Sequence, residues 1–322
     1  MKKKILLLFT LLLLFIPILT SCGKSAAPAK EETIEDKFGE YKPKMWIVTD
    51  KEGSNKIYLL GSIHVGIKKM YPMPEEIEKA FKESKVLAVE NNVVELENDI
   101  DFTMELLGYF ACKEGTTLKD YLSKENLDEL TEIFKEFGYV VNGEQLYMPI
   151  FYYSLLDELI GQKSIYKSSN GVDRYFLDRA IKDGMTVKEI EDAKHTYSLL
   201  GGISSKTQEI MISESIKSYR EKKKDEDPYE ILIKYWVNGD LDKYWQENMK
   251  EADEMNNDDK NAALEYIDRL LVQRNNIMTD KVIEYLKTDE VHFYVVGAAH
   301  YLDDYGIIKQ LEKKGYTVKE AY

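Results

Sequence analysis

Cysteine is nearly absent from this chain of 322 residues, which has two, Cys22 and Cys112. Neither a disulfide framework nor a cysteine-rich metal cluster can be built from them. Histidine is also scarce, with four in all, so imidazole chemistry is confined to a handful of positions. Positive charge is in deficit: 44 Lys and Arg stand against 58 Asp and Glu, a formal net charge of −14. Without the three lysines of the first 21 residues the balance falls to −17. A surface of that sign repels phosphates, which argues against nucleic acid as a partner and favours neutral or basic substrates over acidic ones. The chain is not short of bulk. Roughly 280 residues follow position 43, enough for one large α/β domain or two lobes around a shared core.

The N-terminus is patterned differently from the rest. Lys2-Lys3-Lys4 precedes an apolar run over 5–18 broken only by Thr10 and Pro17, and Leu19-Thr20-Ser21 leads directly into Cys22. This is the order of a bacterial lipoprotein export signal, in which the cysteine is acylated and becomes the first residue of the mature chain. The alternative, an uncleaved membrane anchor, asks for a longer apolar stretch. The chain accordingly divides into a signal peptide over 1–21, a lipidated Cys22 with a flexible polar tether over 22–43, and an α/β domain over 44–322. Such a protein is exported and held by membrane lipid through Cys22, facing outward at a cell surface or in a periplasm.

Two segments at opposite ends of the chain repeat one pattern. Ile57-Tyr58-Leu59-Leu60-Gly61-Ser62-Ile63-His64 and Phe293-Tyr294-Val295-Val296-Gly297-Ala298-Ala299-His300 each read as a β-prone run, a glycine, two small or apolar residues and a histidine. Each describes a buried strand ending at a tight turn, with a histidine where strand tips open onto a cleft. Strands are expected over 44–49 and 56–60, a helix over 74–84 burying Ile77, Ala80 and Phe81, and a strand over 86–89 ended by Glu90. The middle, about 99–260, reads as mostly helical, with one unit of helix 172–182, Gly184 and strand 186–190. A long helix is expected over 262–287, and beyond the second GxxH a helix over 305–314, Gly315 and a strand over 317–320. Each end therefore runs strand, GxxH, helix, strand. That order predicts an α/β fold with a parallel or mixed sheet flanked by helices, parallel pairing with right-handed crossovers, and pseudo-two-fold related ends around a largely helical middle.

The chemistry follows from where the strands end. Glu90 closes the strand after the first GxxH, so a parallel sheet places it on the same edge as His64, and a two-fold pair brings His300 there too. Two imidazoles and a carboxylate suit a divalent transition metal with open positions for water and substrate. Any one of them alone reads more readily as a hydrogen-bonded structural residue, and it is the duplicated GxxH with an acidic strand end that favours a site. Arg274 falls inside the apolar stripe marked by Leu264, Ile267, Leu270, Leu271, Ile277, Met278 and Leu286. Directed inward, its guanidinium stays charged and needs an anionic or polar partner. It is either an oxyanion clamp in the cleft or half of a buried ion pair, with Glu90 as a candidate partner. Glu191, at the end of strand 186–190, and Asp303, in the loop after His300, are secondary candidates. His195, four residues after Glu191, fits a solvated turn better than a metal pair, and His292 is expected at the surface. Trp236, Tyr244 and Trp245 are expected to pack a helical subdomain.

Together these segments resemble the TraB/GumN family, related to the Tiki-type metalloproteases. The resemblance is carried by Tyr58 to Gly66 with Tyr71-Pro72-Met73-Pro74, Val89-Glu90, Trp236 with Gly239-Asp240, Arg274-Asn275, and Val296 to His300 with Gly306. It spans about 45–322. It implies a metal-dependent hydrolase, most plainly a peptidase, using Mn, Zn or Co on a peptide or protein substrate. His64, Glu90 and His300 would hold the metal, or the histidines alone with Glu90 as general base, and Arg274 would face the developing oxyanion. Two positions depart from the pattern: Asn92 replaces an acidic residue and Asp303 replaces a glycine. The alternative is a cell-surface lipoprotein that sequesters a peptide signal, a metal or a porphyrin without turnover.

Overall fold

The computed structural model describes residues 34–221 and 227–322, so the export signal and Cys22 lie outside the described residues. Six strands form one sheet in the order β4-β3-β5-β2-β1-β6. They are β1 (Met45–Thr49), β2 (Lys56–Ser62), β3 (Val86–Val89), β4 (Thr186–Glu189), β5 (His292–Gly297) and β6 (Thr317–Glu320). β4, β3, β5 and β2 pair in parallel, while β1 runs against both β2 and β6, so the sheet is mixed. β1 and β2 are joined by a turn in which the Asp50 carboxylate accepts the Ser54 and Asn55 N–H groups at 2.7 and 3.1 Å. The apolar runs of β2, β3 and β5 are buried on both faces, as central parallel strands require.

The helices used below are α1 (Ile34–Phe38), α2 (Glu75–Glu83), α3 (Val93–Leu96), α4 (Ile100–Gly108), α5 (Lys124–Glu136), α6 (Pro149–Gly161) and α7 (Val172–Asp183). They continue with α8 (Ala193–Gly201), α9 (Ser205–Glu221), α10 (Glu230–Val237), α11 (Leu241–Asp253), α12 (Asn257–Ile267), α13 (Gln273–Tyr285) and α14 (Ile307–Lys313). Among the described residues no helix is long and apolar enough to cross a membrane.

The two ends are related as the repeated motif predicts, with one change in pairing. In the register, Tyr58 lies beside Phe293 and Gly61 beside Val296, one residue out of step with the motif, which equates Tyr58 with Tyr294 and Gly61 with Gly297. Side chains alternate faces along a strand, so a one-residue offset puts equivalent residues on opposite faces. A two-fold axis along the strands does the same. The helices agree: α2 buries Ile77 and Phe81 with Tyr58, Leu60 and Phe293 on one face. On the other, α14 buries Ile307 and Leu311 with Leu59, Tyr294 and Val296. The expected parallel pairing inside each unit is corrected. β2 and β3 are separated by β5, and β6 pairs with β1 instead of β5. Each unit reaches across its partner's first strand, so the halves interlock.

Three further expectations are corrected. Residues 34–43 belong to the folded body: Ile34 and Phe38, four apart on α1, are buried in the core, and Lys42 N–H bonds the Val237 carbonyl at 2.7 Å. His292 is buried, its ring stacked 4.5 Å from that of Tyr285, because it opens a central strand. The long helix is α12 and α13 joined by a π-helical turn, Asp268–Val272. A π turn inserts an extra residue and rotates the following face. One continuous apolar stripe is therefore impossible, and Leu264 and Ile277 are exposed while Arg274 is buried.

Candidate functional site

Three parallel strand ends converge at the site. β2 leads to His64, β3 to Glu90, and β5 through Gly297 to His300 on a 3-10 turn, Ala298–Tyr301. The point they surround is Gly297. A Cβ built there would lie 3.3 Å from Glu90 Oε1, 3.6 Å from His300 Cδ2 and 3.6 Å from His64 Nε2. The glycine leaves the space into which the carboxylate and both imidazoles reach.

Glu90 is held on both oxygens. Oε1 accepts the Gly297 N–H at 2.6 Å and lies 3.8 Å from His300 Nε2. Oε2 accepts from Arg274 Nη2 at 2.5 Å. Arg274 also donates from Nε to Glu191 Oε2 at 2.8 Å and from Nη1 to the Leu270 carbonyl, in the π turn, at 3.3 Å. The structure thus places Arg274 in a buried ion pair bridging two carboxylates, the second of its two readings. Burial opposes charge on Glu90, yet Arg274, the two histidines and the Gly297 N–H together hold its carboxyl down at about 2. At Glu191 burial prevails and the carboxyl is pushed up despite Arg274. Glu191 Oε2 also accepts from Thr196 at 3.1 Å, whereas its Oε1 is buried without a hydrogen-bond partner.

Both imidazoles are anchored through Nδ1. His300 Nδ1 lies 2.6 Å from Asn275 Oδ1, and Asn275 Nδ2 donates to the Tyr305 carbonyl at 2.9 Å. An amide oxygen only accepts, so His300 carries its proton on Nδ1 and offers the Nε2 lone pair. His64 Nδ1 stands 3.2 Å from Asp173 Oδ1, on the first turn of α7. Burial works against a proton on His64, but Asp173 and then Glu90 outweigh it and lift the ring to about 9. His300, with burial and then Arg274 against its charge, is pushed down to about 3.

The donor set fits a divalent ion in kind, since metal-binding imidazoles are fixed through the other ring nitrogen by a carboxylate or carbonyl group. The 3.8 Å between His300 Nε2 and Glu90 Oε1 is also a workable separation for two ligands each about 2.0–2.2 Å from one ion. Among the described residues, however, no group of three or more His, Cys, Asp or Glu side chains is placed so that it could hold a metal ion. The third donor, His64, stands off.

The other candidates fall elsewhere. Asp303 adopts φ 64°, a left-handed conformation that glycine takes most readily, and its carboxylate accepts Trp245 Nε1–H at 3.1 Å and the Asp304 N–H at 2.7 Å. Asn92 is buried and caps α3, its Oδ1 accepting the Glu95 N–H at 3.4 Å. His195 sits on α8, where its N–H bonds the Asp192 carbonyl. Sequence reasoning gave Asp173 and Asn275 no role. It also treated Trp236 as packing alone, although Nε1 donates to the Gly61 carbonyl at 2.9 Å and fixes the first GxxH turn. For Asp173 the one available signal is its place just after Gly171, at the start of a helix.

The model of the TraB/PrgY/gumN family matches residues 44–320, from the first strand of the sheet to the last. The chain belongs to this family. YbaP of Escherichia coli strain K12, an uncharacterized protein, is 28% identical over 151 residues, covering 46% of this chain and 53% of YbaP. YbaP of Shigella flexneri matches to the same extent. The chain thus spans about half the length of these curated relatives. No solved structure matches it.

Proposed function

We propose that this TraB/PrgY/gumN member is a metal-dependent hydrolase acting on peptides, tethered outside the cell through Cys22. The observation that carries the reading is the convergence of His64 Nε2, Glu90 Oε1 and His300 around Gly297, with both rings anchored at Nδ1. His64 and His300 would hold the ion, with Glu90 as the anionic donor. When bound, such an ion supplies Lewis acidity and a water of lowered pKa.

The protein's own groups divide the remaining work. Glu90 stays ionised, and a carboxylate held at about 2 is a poor proton acceptor, which favours ligation over general-base catalysis. Arg274 fixes Glu90 in place and keeps a buried negative charge compensated. His300 stays neutral at physiological pH and keeps its Nε2 lone pair available. His64 holds a proton in the ion-free state, so ion uptake there would release one.

Capture without turnover is the competing reading, and it draws on the same engagement of Glu90, which makes that carboxylate a poor base. The test is incubation of the protein with a peptide library at tenfold molar excess, with and without chelator. Cleavage of more peptide than protein, abolished by chelator, is the expected result. Saturable loss of one equivalent, recoverable intact, would overturn hydrolysis in favour of capture.

A further inference from the structure

His64 is the outlying donor of the site, and it is gripped by a part of the chain far from it in sequence. The segment before α7 lies directly against the first GxxH turn. Gly66 N–H bonds the Lys167 carbonyl at 3.0 Å and Lys167 N–H bonds the Gly66 carbonyl at 2.7 Å. Val172 N–H bonds the Ile63 carbonyl at 2.9 Å. Gly171 approaches so closely that a Cβ on it would lie 2.8 Å from the His64 carbonyl oxygen. Tyr71, from the loop after His64, donates to the Asn170 carbonyl at 2.7 Å. These contacts deliver Asp173 to His64 Nδ1. Asp173 Oδ1 is buried without a hydrogen-bond partner of regular geometry, and the His64 Nδ1 atom 3.2 Å away is the group it pairs with by charge.

We propose that Asp173 is a positioning residue, resting on the metal-dependent reading above. It holds the His64 ring by Nδ1, turns Nε2 toward Glu90 and His300, and raises the donor strength of that nitrogen. Asn275 holds the ring of His300 in the same way but through a neutral amide oxygen. The two halves of the site are thereby unequal. The partly buried histidine is paired with a negative charge, and the fully buried one with a dipole. An anionic partner makes an imidazole more basic toward a metal, and loss of such a partner typically weakens metal binding 10–100-fold.

The test compares the wild type with Asp173→Asn, which keeps the shape and removes the charge, and with Asp173→Glu, which restores charge on a longer arm. Zn2+ affinity is measured by competition with a chromophoric chelator, and the Co2+ absorption spectrum reports ligand geometry. In the ion-free proteins, the His64 Nδ1 proton is followed by NMR. The expected result is a 10–100-fold weaker Zn2+ affinity in Asp173→Asn, a changed Co2+ spectrum, partial recovery in Asp173→Glu, and an upfield, faster-exchanging Nδ1 proton. Unchanged melting temperatures would confirm that the variants fold. Wild-type Zn2+ affinity together with an unmoved Nδ1 signal in Asp173→Asn would overturn the positioning role. A wild-type protein that binds neither ion would instead overturn the metal-dependent reading, and the NMR signal would still decide whether Asp173 holds the ring.

Discussion

Replacing Arg274 with methionine removes the one cation between two buried carboxylates. Glu90 is held at about 2 against an ordinary value of 4.5, chiefly because Arg274 overcomes the burial that opposes its charge. A carboxyl depressed on folding contributes stability that is present above its unfolded value and is lost as the pH falls through its folded value. For Glu90 that window runs from about 4.5 down to about 2, and the contribution is about 3 kcal/mol. In Arg274→Met burial is opposed at Glu90 only by the two histidines and the Gly297 N–H, and at Glu191 only by Thr196, so both carboxyls hold their protons to higher pH. Relative to the wild type, the variant should then lose stability as the pH rises from 4 to 7. Breaking a buried ion pair from one side typically costs about 3–5 kcal/mol. Urea unfolding at pH 4, 5.5 and 7, with fluorescence and circular dichroism traces checked for coincidence, measures this directly. The expected loss is about 3–5 kcal/mol at pH 7 and distinctly less at pH 4. A loss below about 1 kcal/mol, or one equal at all three pH values, would refute the description of Arg274 as the compensating charge.

Other perturbations probe other parts of the account. Gly297→Ala places a methyl group 3.3 Å from Glu90 Oε1 and 3.6 Å from His64 Nε2. It should destabilise by only about 1–2 kcal/mol in urea unfolding while weakening Zn2+ binding at least tenfold in chelator competition. Trp236→Phe removes the donor to the Gly61 carbonyl and should cost about 1–3 kcal/mol, measured in the same way. Asp157, on α6, is pushed up to about 7 by burial and then by Glu158. Its folded form keeps its proton longer than the unfolded chain does, so wild-type stability should decline from about pH 4 to pH 7 on its account. Asp157→Asn should flatten that decline in melting temperatures taken at pH 5 and pH 8.

The parts of the fold written in local pattern were legible. The duplicated GxxH located the two strand ends, and the two-fold relation predicted from it appears as opposite-face burial of equivalent residues. Pairing was not legible, because nothing local to β5 says that it inserts between β2 and β3. Nor was the π turn, which is invisible to any reading at α-helical period and which breaks the stripe so that Ile277 is exposed, although Arg274 is buried as its place in the stripe predicted. At the site, His64, Glu90 and His300 could be named because strand ends in a parallel sheet share an edge. Asp173 could not, since its approach depends on the packing of a glycine turn more than 100 residues away against the His64 backbone. Residues 34–43 were misread for a related reason. Ile34 and Phe38 are two apolar residues in a polar stretch, and their burial needs the finished domain beside them.

Elemental analysis of the purified domain, wild type beside the His64→Ala/His300→Ala double variant, tests the central claim most directly. Both proteins would be reconstituted with Mn2+, Zn2+ and Co2+ and then freed of loosely held ions. The account predicts close to one equivalent of a divalent ion on the wild type and none on the double variant, with both folded by circular dichroism. An ion-free wild type under all three metals, or equal metal on both proteins, would contradict it.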